Sequence, residues 1–235
     1  MHVIARLRDE LKKGVLYAGW KGGALCVGLG IADYVASLGY DYLNHGPNRL
    51  FLRTPIDQAL PVVPVFAVPY VSLEPFIYGS LVLFLLFRAR LFQSAVSSMI
   101  VTFLVSYVFF AFLQTYVDRP VLTANDPFTQ MIRGVYAGDH PYNDFPSLHV
   151  ATSTVIAIHW WRFSRRSWPL IVWAGLIALS TVMVKQHYVP DIAGGLVLAF
   201  ATSLSFLKVF RVGDGFEASS TPRAGRSPRE SGSRA

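Results

Sequence analysis

The chain has 235 residues, of which 53% are hydrophobic and only 15% charged, and its mean hydropathy is positive at +0.41. An ordinary soluble domain has roughly a quarter of its residues charged, so this composition excludes one and indicates an all-α, polytopic membrane protein. The net charge of +7 does not mark a nucleic-acid binder, because Lys and Arg fall in short clusters between apolar runs rather than along one face. Cys26 is the single cysteine, which excludes an intrachain disulfide and a multi-cysteine metal site.

In chain order, Arg6, Arg8, Lys12 and Lys13 precede a first apolar run longer than the ~7–15 residues of a signal-peptide core. It reads as a retained span behind a cytoplasmic segment, 1–21. Spans need about 20 mostly apolar residues, and six are expected, at 22–43, 64–87, 91–116, 147–163, 168–186 and 190–210. With the amino terminus inside, the cations of the first segment, Arg88 and Arg90, Arg162, Arg165 and Arg166, and Lys208 and Arg211 all fall on the cytoplasmic side. The outer side keeps Arg49, Arg53, Arg119 and Arg133, with Lys185 at its boundary. Two longer outer segments follow from this topology. The first, 44–63, holds Thr54-Pro55-Ile56-Asp57, and its prolines forbid one regular helix throughout. The second, 118–146, is rich in Asp, Asn, Gly and Pro and reads as a loop. The tail, 211–235, is Ser, Arg, Gly and Pro, a composition of disorder.

The same topology gathers three polar groupings at the outer boundary. They are Asp118-Arg119-Pro120, then Ser147 and His149, then Lys185, His187 and Asp191. Ionisable groups beside bilayer-length segments are costly and mark function. Ser147 suits a helix N-cap with His149 in the first turn, and a helix start offers free N–H groups and a positive dipole end to an anion such as phosphate. Pro190 prefers the first turn of the last helix, so His187 precedes that helix and Asp191 lies inside it. The carboxylate can then fix one imidazole nitrogen and leave the other for substrate. Two structural alternatives stay open for this pair: a helix cap with an interfacial His, or part of a metal site with His149. Arg119 has a planar fork suited to phosphate oxygens, although Arg and Lys at span ends also serve as anchors. His140 and Asp144 repeat the His-x-x-x-Asp spacing, but Pro141 and Asn143 between them read as a turn.

Arg119-Pro120, Pro146-Ser147-Leu148-His149 and the stretch from Ser180 to Asp191 resemble the three ordered motifs of the type-2 phosphatidic acid phosphatase superfamily, Lys-x6-Arg-Pro, Pro-Ser-Gly-His and Ser-Arg-x5-His-x3-Asp. Three positions depart from that pattern: Phe112 stands for the Lys, Leu148 for the Gly and Thr181 for the Arg. The run Lys185-Gln186-His187-Tyr188 with Thr54-Pro55-Ile56-Asp57 and Pro61 is similar to the branch of inositol phosphorylceramide synthases and sphingomyelin synthase-like proteins.

The resemblance implies His187 as a nucleophile forming a phospho-histidine, Asp191 orienting it, and His149 as acid and then base. Arg119, Ser147 and Lys185 would hold the phosphoryl oxygens, with Lys185 replacing a missing cation. No metal or other cofactor is expected. The expected partners are a membrane lipid substrate and the bilayer, with no nucleic acid, and the oligomeric state is not legible. The expected location is a bacterial inner membrane with the site facing the periplasm, or the lumenal face in a eukaryote. Water as acceptor makes a lipid phosphatase and a hydroxyl compound makes a phosphotransferase. A reading of another class is a lipid transporter or scaffold, but a transport path would spread polar residues through several spans.

Overall fold

The computed structural model describes residues 8–9, 11–46 and 50–213. Arg6, Arg49 and the tail from residue 214 onward, for which disorder is expected, lie outside the described residues. Among those described, the chain is helical, with two isolated β-bridges and no strand.

The helices are α1 (Gly19–Ser37), α2 (Gly39–Leu43), α3 (Pro55–Ala59), α4 (Ala67–Val71), α5 (Leu73–Phe87), α6 (Ala89–Phe112), α7 (Pro127–Gly138), α8 (Leu148–Phe163), α9 (Trp168–Met183) and α10 (Val189–Val209). Among the described residues, five stretches are long and apolar enough to cross a membrane: Gly19–Leu43, Pro64–Phe87, Ala89–Phe112, Arg165–Met183 and Val189–Val209. Each overlaps an expected span, and the carboxyl ends of two stop three or four residues short of it. The third stops at Phe112 rather than 116, because Thr115 and Tyr116 leave the helix to form bridges with Leu50 and Tyr142. The expected fifth span, 168–186, stops at Met183, where Lys185 turns the chain with a φ of 55°.

The expected fourth span is the exception. Its helix, α8, has 16 residues, about 24 Å at 1.5 Å per residue, against a hydrocarbon core of about 30 Å. It is the buried post of the bundle, packed on α5, α6, α9 and α10. Its neighbours shield it from lipid, which explains why its sequence tolerates Thr152, Ser153 and His159, all fully or nearly fully buried. His159 Nδ1 lies 2.7 Å from the Val155 carbonyl and Nε2 2.9 Å from Ser94 Oγ. A carbonyl only accepts, so Nδ1 carries the proton and Nε2 accepts from the serine. That histidine is satisfied inside the core.

The outer segment 118–146 is not all loop. Asp126 caps α7 by accepting from Phe128 and Thr129 N–H at 3.0 Å, and Pro127 follows at the first helical position. That pairing is a helix-start signal in its own right. In the other outer segment, Thr54 and Asp57 form a capping box that starts the five-residue α3.

Candidate active site

Two helix starts meet at the outer end of the bundle. Ser147 is the N-cap of α8, its Oγ accepting from Val150 N–H at 3.4 Å, and its own N–H donates to the Asp191 carbonyl in α10 at 3.1 Å. Gly195, one turn further along α10, explains the close approach. A Cβ there would lie 2.7 Å from the Ser147 carbonyl oxygen, so only a residue without one lets the two backbones touch.

This contact brings His149 and His187 together. Their ring centroids are 6.1 Å apart with planes inclined at 57°, so the rings face a shared space without hydrogen bonding to each other. His149 stacks on Tyr70 of α4, with centroids 4.3 Å apart and planes at 18°. His187 Nδ1 stands 3.5 Å from Asp191 Oδ2. That is long for a hydrogen bond, and catalytic pairs are often this loose until substrate is bound. Asp191 is fully buried and its Oδ2 accepts from Tyr188 N–H at 2.8 Å, so the carboxylate is fixed at the helix start. The turn carrying His187 is fixed as well. The Thr181 carbonyl accepts from Gln186 N–H at 2.9 Å and His187 N–H at 3.2 Å.

Arg119 reaches this turn from the other side. One Nη donates to the Asp139 carbonyl at 2.7 Å and the Tyr136 carbonyl at 3.2 Å, and the other donates to Gln186 Oε1. Its guanidinium lies 4.9 Å from the Tyr136 ring centre. The cation thus caps the carboxyl end of α7, where the helix dipole favours it, and at the same time holds the residue before His187. Among the described residues, Arg119 Nε, Gln186 Nε2, both side-chain polar atoms of Asn143, Asp144 Oδ2, His187 Nδ1 and Asp191 Oδ1 are buried without a hydrogen-bond partner. Folded proteins rarely leave such atoms unpaired, and here they concentrate around one turn.

Lys185 stands apart from this group. Its ammonium donates to the Asp57 carbonyl at 2.9 Å and the Leu60 carbonyl at 2.7 Å. Burial pushes its pKa down, partly opposed by the Asp57 charge. Asp57 completes the clip, its Oδ1 accepting from Val189 N–H at 2.8 Å. The Thr54-to-Asp57 motif therefore braces both ends of the His187 turn.

Several residues of the site escape sequence reasoning. Tyr70 sits in an apolar run without any polar signal. Asp144, whose stretch reads as a turn, is in one, since Asn143 has a φ of 61°. Even so, Asp144 is buried at 4% exposure, while His140 is exposed. The Asp144 carboxyl is pushed well above its ordinary pKa, first by burial and then by the charge of Asp191, with Arg119 opposing. Gln186 lies inside the motif, but its residue type gives no signal of its contact with Arg119. Among the described residues, no set of three or more His, Cys, Asp or Glu side chains is placed to hold a metal ion.

At two of the three off-pattern motif positions the side chains point elsewhere. Phe112 is 87% exposed at the end of α6, and the Thr181 hydroxyl donates to the Ala178 carbonyl at 2.8 Å.

No curated protein and no solved structure matches the chain. A family model described as the PAP2 superfamily matches residues 48–205, more than half of the 235 residues, taking in every side chain of the site. Together with five membrane-length apolar helices, that match gives a membrane protein of the phosphatase type: the chain belongs to the PAP2 superfamily.

Proposed function

We propose that the protein is a metal-independent lipid phosphatase or phosphotransferase that works through a phospho-histidine on His187. The observation that carries this reading is the pairing of two histidines from separate helix starts, 6.1 Å apart, with Asp191 3.5 Å behind one of them. Asp191 holds Nδ1 and leaves Nε2 of His187 to attack phosphorus. The Nε2–P bond forms as the P–O bond to the leaving alcohol breaks, and His149 gives that oxygen its proton. In the second half, His149 takes the proton of the incoming hydroxyl, the new O–P bond forms, and the N–P electron pair returns to the imidazole.

Charge on the phosphoryl oxygens is met by Arg119 Nε, Gln186 Nε2, Ser147 and the first-turn amides of α8. Asp144 lies among these donors, and because burial raises its pKa it repels the anion less than an ordinary carboxylate would. Lys185 acts by holding the turn rather than by touching phosphate. In the bilayer, α8 serves as a sixth, internal helix between five full spans. Both termini are then cytoplasmic, and the site faces the periplasm or lumen.

The acceptor divides the reading. A head-group transferase of the inositol phosphorylceramide synthase type is the second form, and Phe112 and Thr181 favour it. Both place an uncharged side chain where a cation would help a dianionic monoester, so a singly charged diester suits the site better.

The test uses detergent-purified full-length protein with lipids labelled at phosphorus, as monoesters, diphosphates and diesters, with and without alcohols and EDTA. Labelled protein stable to alkali and labile to acid is expected in the wild type and absent in His187→Ala. Free phosphate identifies the hydrolase and a new phospholipid the transferase. Turnover surviving in both His187→Ala and His149→Ala would sink the reading.

A further inference from the structure

A cavity of about 220 Å³ adjoins His149 on its way into the bundle. It lies between α1 and α5, with α6 and α8 as its floor, and Ile77, Met99, Phe103 and Leu148 give it an apolar lining. Two acids line it as well, the exposed Glu74 of α5 and the buried Asp33, which brings a carboxylate to this lining from α1. Asp33 is 7% exposed, and its Oδ1 finds no hydrogen-bond partner among the described residues. A carboxylate oxygen buried among apolar groups costs several kcal/mol unless something donates to it. Cys26 is the other residue that this helix buries.

We propose that this cavity is the subsite for the alcohol partner of the phosphoryl transfer, and that Asp33 selects an alcohol carrying a second hydrogen-bond donor beside the reacting hydroxyl. The inference rests on the phospho-histidine reading for its direction. His149 exchanges a proton with the alcohol oxygen in both half-reactions, so leaving and incoming alcohols occupy its side of the phosphorus. The cavity is where that side leads. Its apolar walls take the chain of a lipid alcohol, His149 takes the proton of the reacting hydroxyl, and Asp33 accepts from a neighbouring hydroxyl, amide or ammonium. Water meets only the second of these requirements. Selection then follows from the buried acceptor, since an alcohol without the second donor leaves Asp33 unpaired.

The test reads occupancy and turnover separately. Ser37 lines the same cavity, and a full-length Ser37→Cys variant is alkylated with N-ethylmaleimide in detergent in the presence of octane-1,2-diol or octan-1-ol. The parent, whose only cysteine is the buried Cys26, gives the background. The diol is expected to protect at concentrations about tenfold lower than the mono-alcohol, and Asp33→Leu is expected to erase that gap. Met99→Trp fills the cavity from α6 and is expected to abolish protection by both, which keeps the test decisive if Asp33→Leu does not fold. Equal protection by the two alcohols, a gap that survives Asp33→Leu, or protection that survives Met99→Trp overturns the proposal.

Occupancy does not need the nucleophile, so the gap persists in His187→Ala even if the enzymatic reading fails. In the turnover arm, the diol is expected to emerge phosphorylated with a half-saturation about tenfold below that of octan-1-ol. Hydrolysis without any diol phosphate overturns the acceptor role and leaves the phospho-histidine reading standing.

Discussion

Lys185 separates a phosphate ligand from a structural clip, and Lys185→Met is the perturbation that decides between them. Its ammonium makes two charge-assisted hydrogen bonds, at 2.9 and 2.7 Å, to carbonyls at the end of α3. Hydrogen bonds to charged groups contribute about 1.5–3 kcal/mol each. The side chain is only half-buried, and solvent discounts the pair to about 2–4 kcal/mol in total. For a folded region of this size, 1 kcal/mol moves the melting temperature by about 2–4 °C. Lys185→Met is therefore expected to lower it by about 5–15 °C, read by tryptophan fluorescence of the detergent-solubilised protein. Well below the new midpoint, KM for a lipid phosphate is expected to stay within about threefold of wild type, since no phosphate contact is lost. A KM raised more than about tenfold with an unchanged midpoint would refute the clip and return Lys185 to the phosphate.

The fate of Lys185 shows what kind of information the sequence carries. Charge and position at a span boundary are legible from composition alone; the partner of the charge is not, because Asp57 and Leu60 are more than a hundred residues away in sequence. The same division runs through the rest. Hydropathy locates the five long apolar helices because lipid contact demands an unbroken run. It marks α8 less clearly, because that helix has only 16 residues and is buried among its neighbours. Helix α7 was within reach, since Asp126-Pro127 is a start signal, but the Gly, Asn and Asp around it outweigh that signal in any local reading. Asp144 fails differently: its turn is real, and only the folding of 139–147 onto Thr115 makes the turn an interior one. There the Asp144 and Phe145 N–H groups each donate to Thr115 Oγ1 at 2.9 Å. His187 and Asp191 were legible because their relation is local, four residues across a proline-marked helix start. Their relation to His149 needed the ordering of motifs along the chain, and the reason for it, Gly195 under Ser147, needed the fold.

Further expectations follow from the same contacts. Asp57→Asn trades the acceptor of Val189 N–H or of Thr54 for a donor. It is expected to cut kcat by about ten- to a hundredfold with little change in KM, and an unchanged kcat in folded protein would remove Asp57 from the support of His187. Tyr70→Leu keeps bulk but loses the stack on His149, so both half-reactions that pass a proton through His149 are expected to slow and kcat to fall by about tenfold with little change in KM; an unchanged kcat in folded protein would remove Tyr70 from the support of His149. Asp144→Asn tests the buried carboxyl through pH. Burial and the Asp191 charge raise its pKa in the folded protein, so folding favours the protonated form. The stabilising contribution is complete below the unfolded carboxyl pKa, about 3.9, and is lost as pH rises through the raised folded value. Asparagine mimics the protonated acid at every pH. The melting temperature of Asp144→Asn relative to wild type should therefore climb as pH is raised from about 4 to 8. Phosphoryl turnover by wild type should fall over the same interval in which that difference opens, because an ionised Asp144 repels the bound phosphate, and Asp144→Asn should lack that fall. A difference in melting temperature that shrinks as pH rises would mean that Asp144 is held ionised by Arg119, and that the anion pocket is built around a carboxylate rather than an acid.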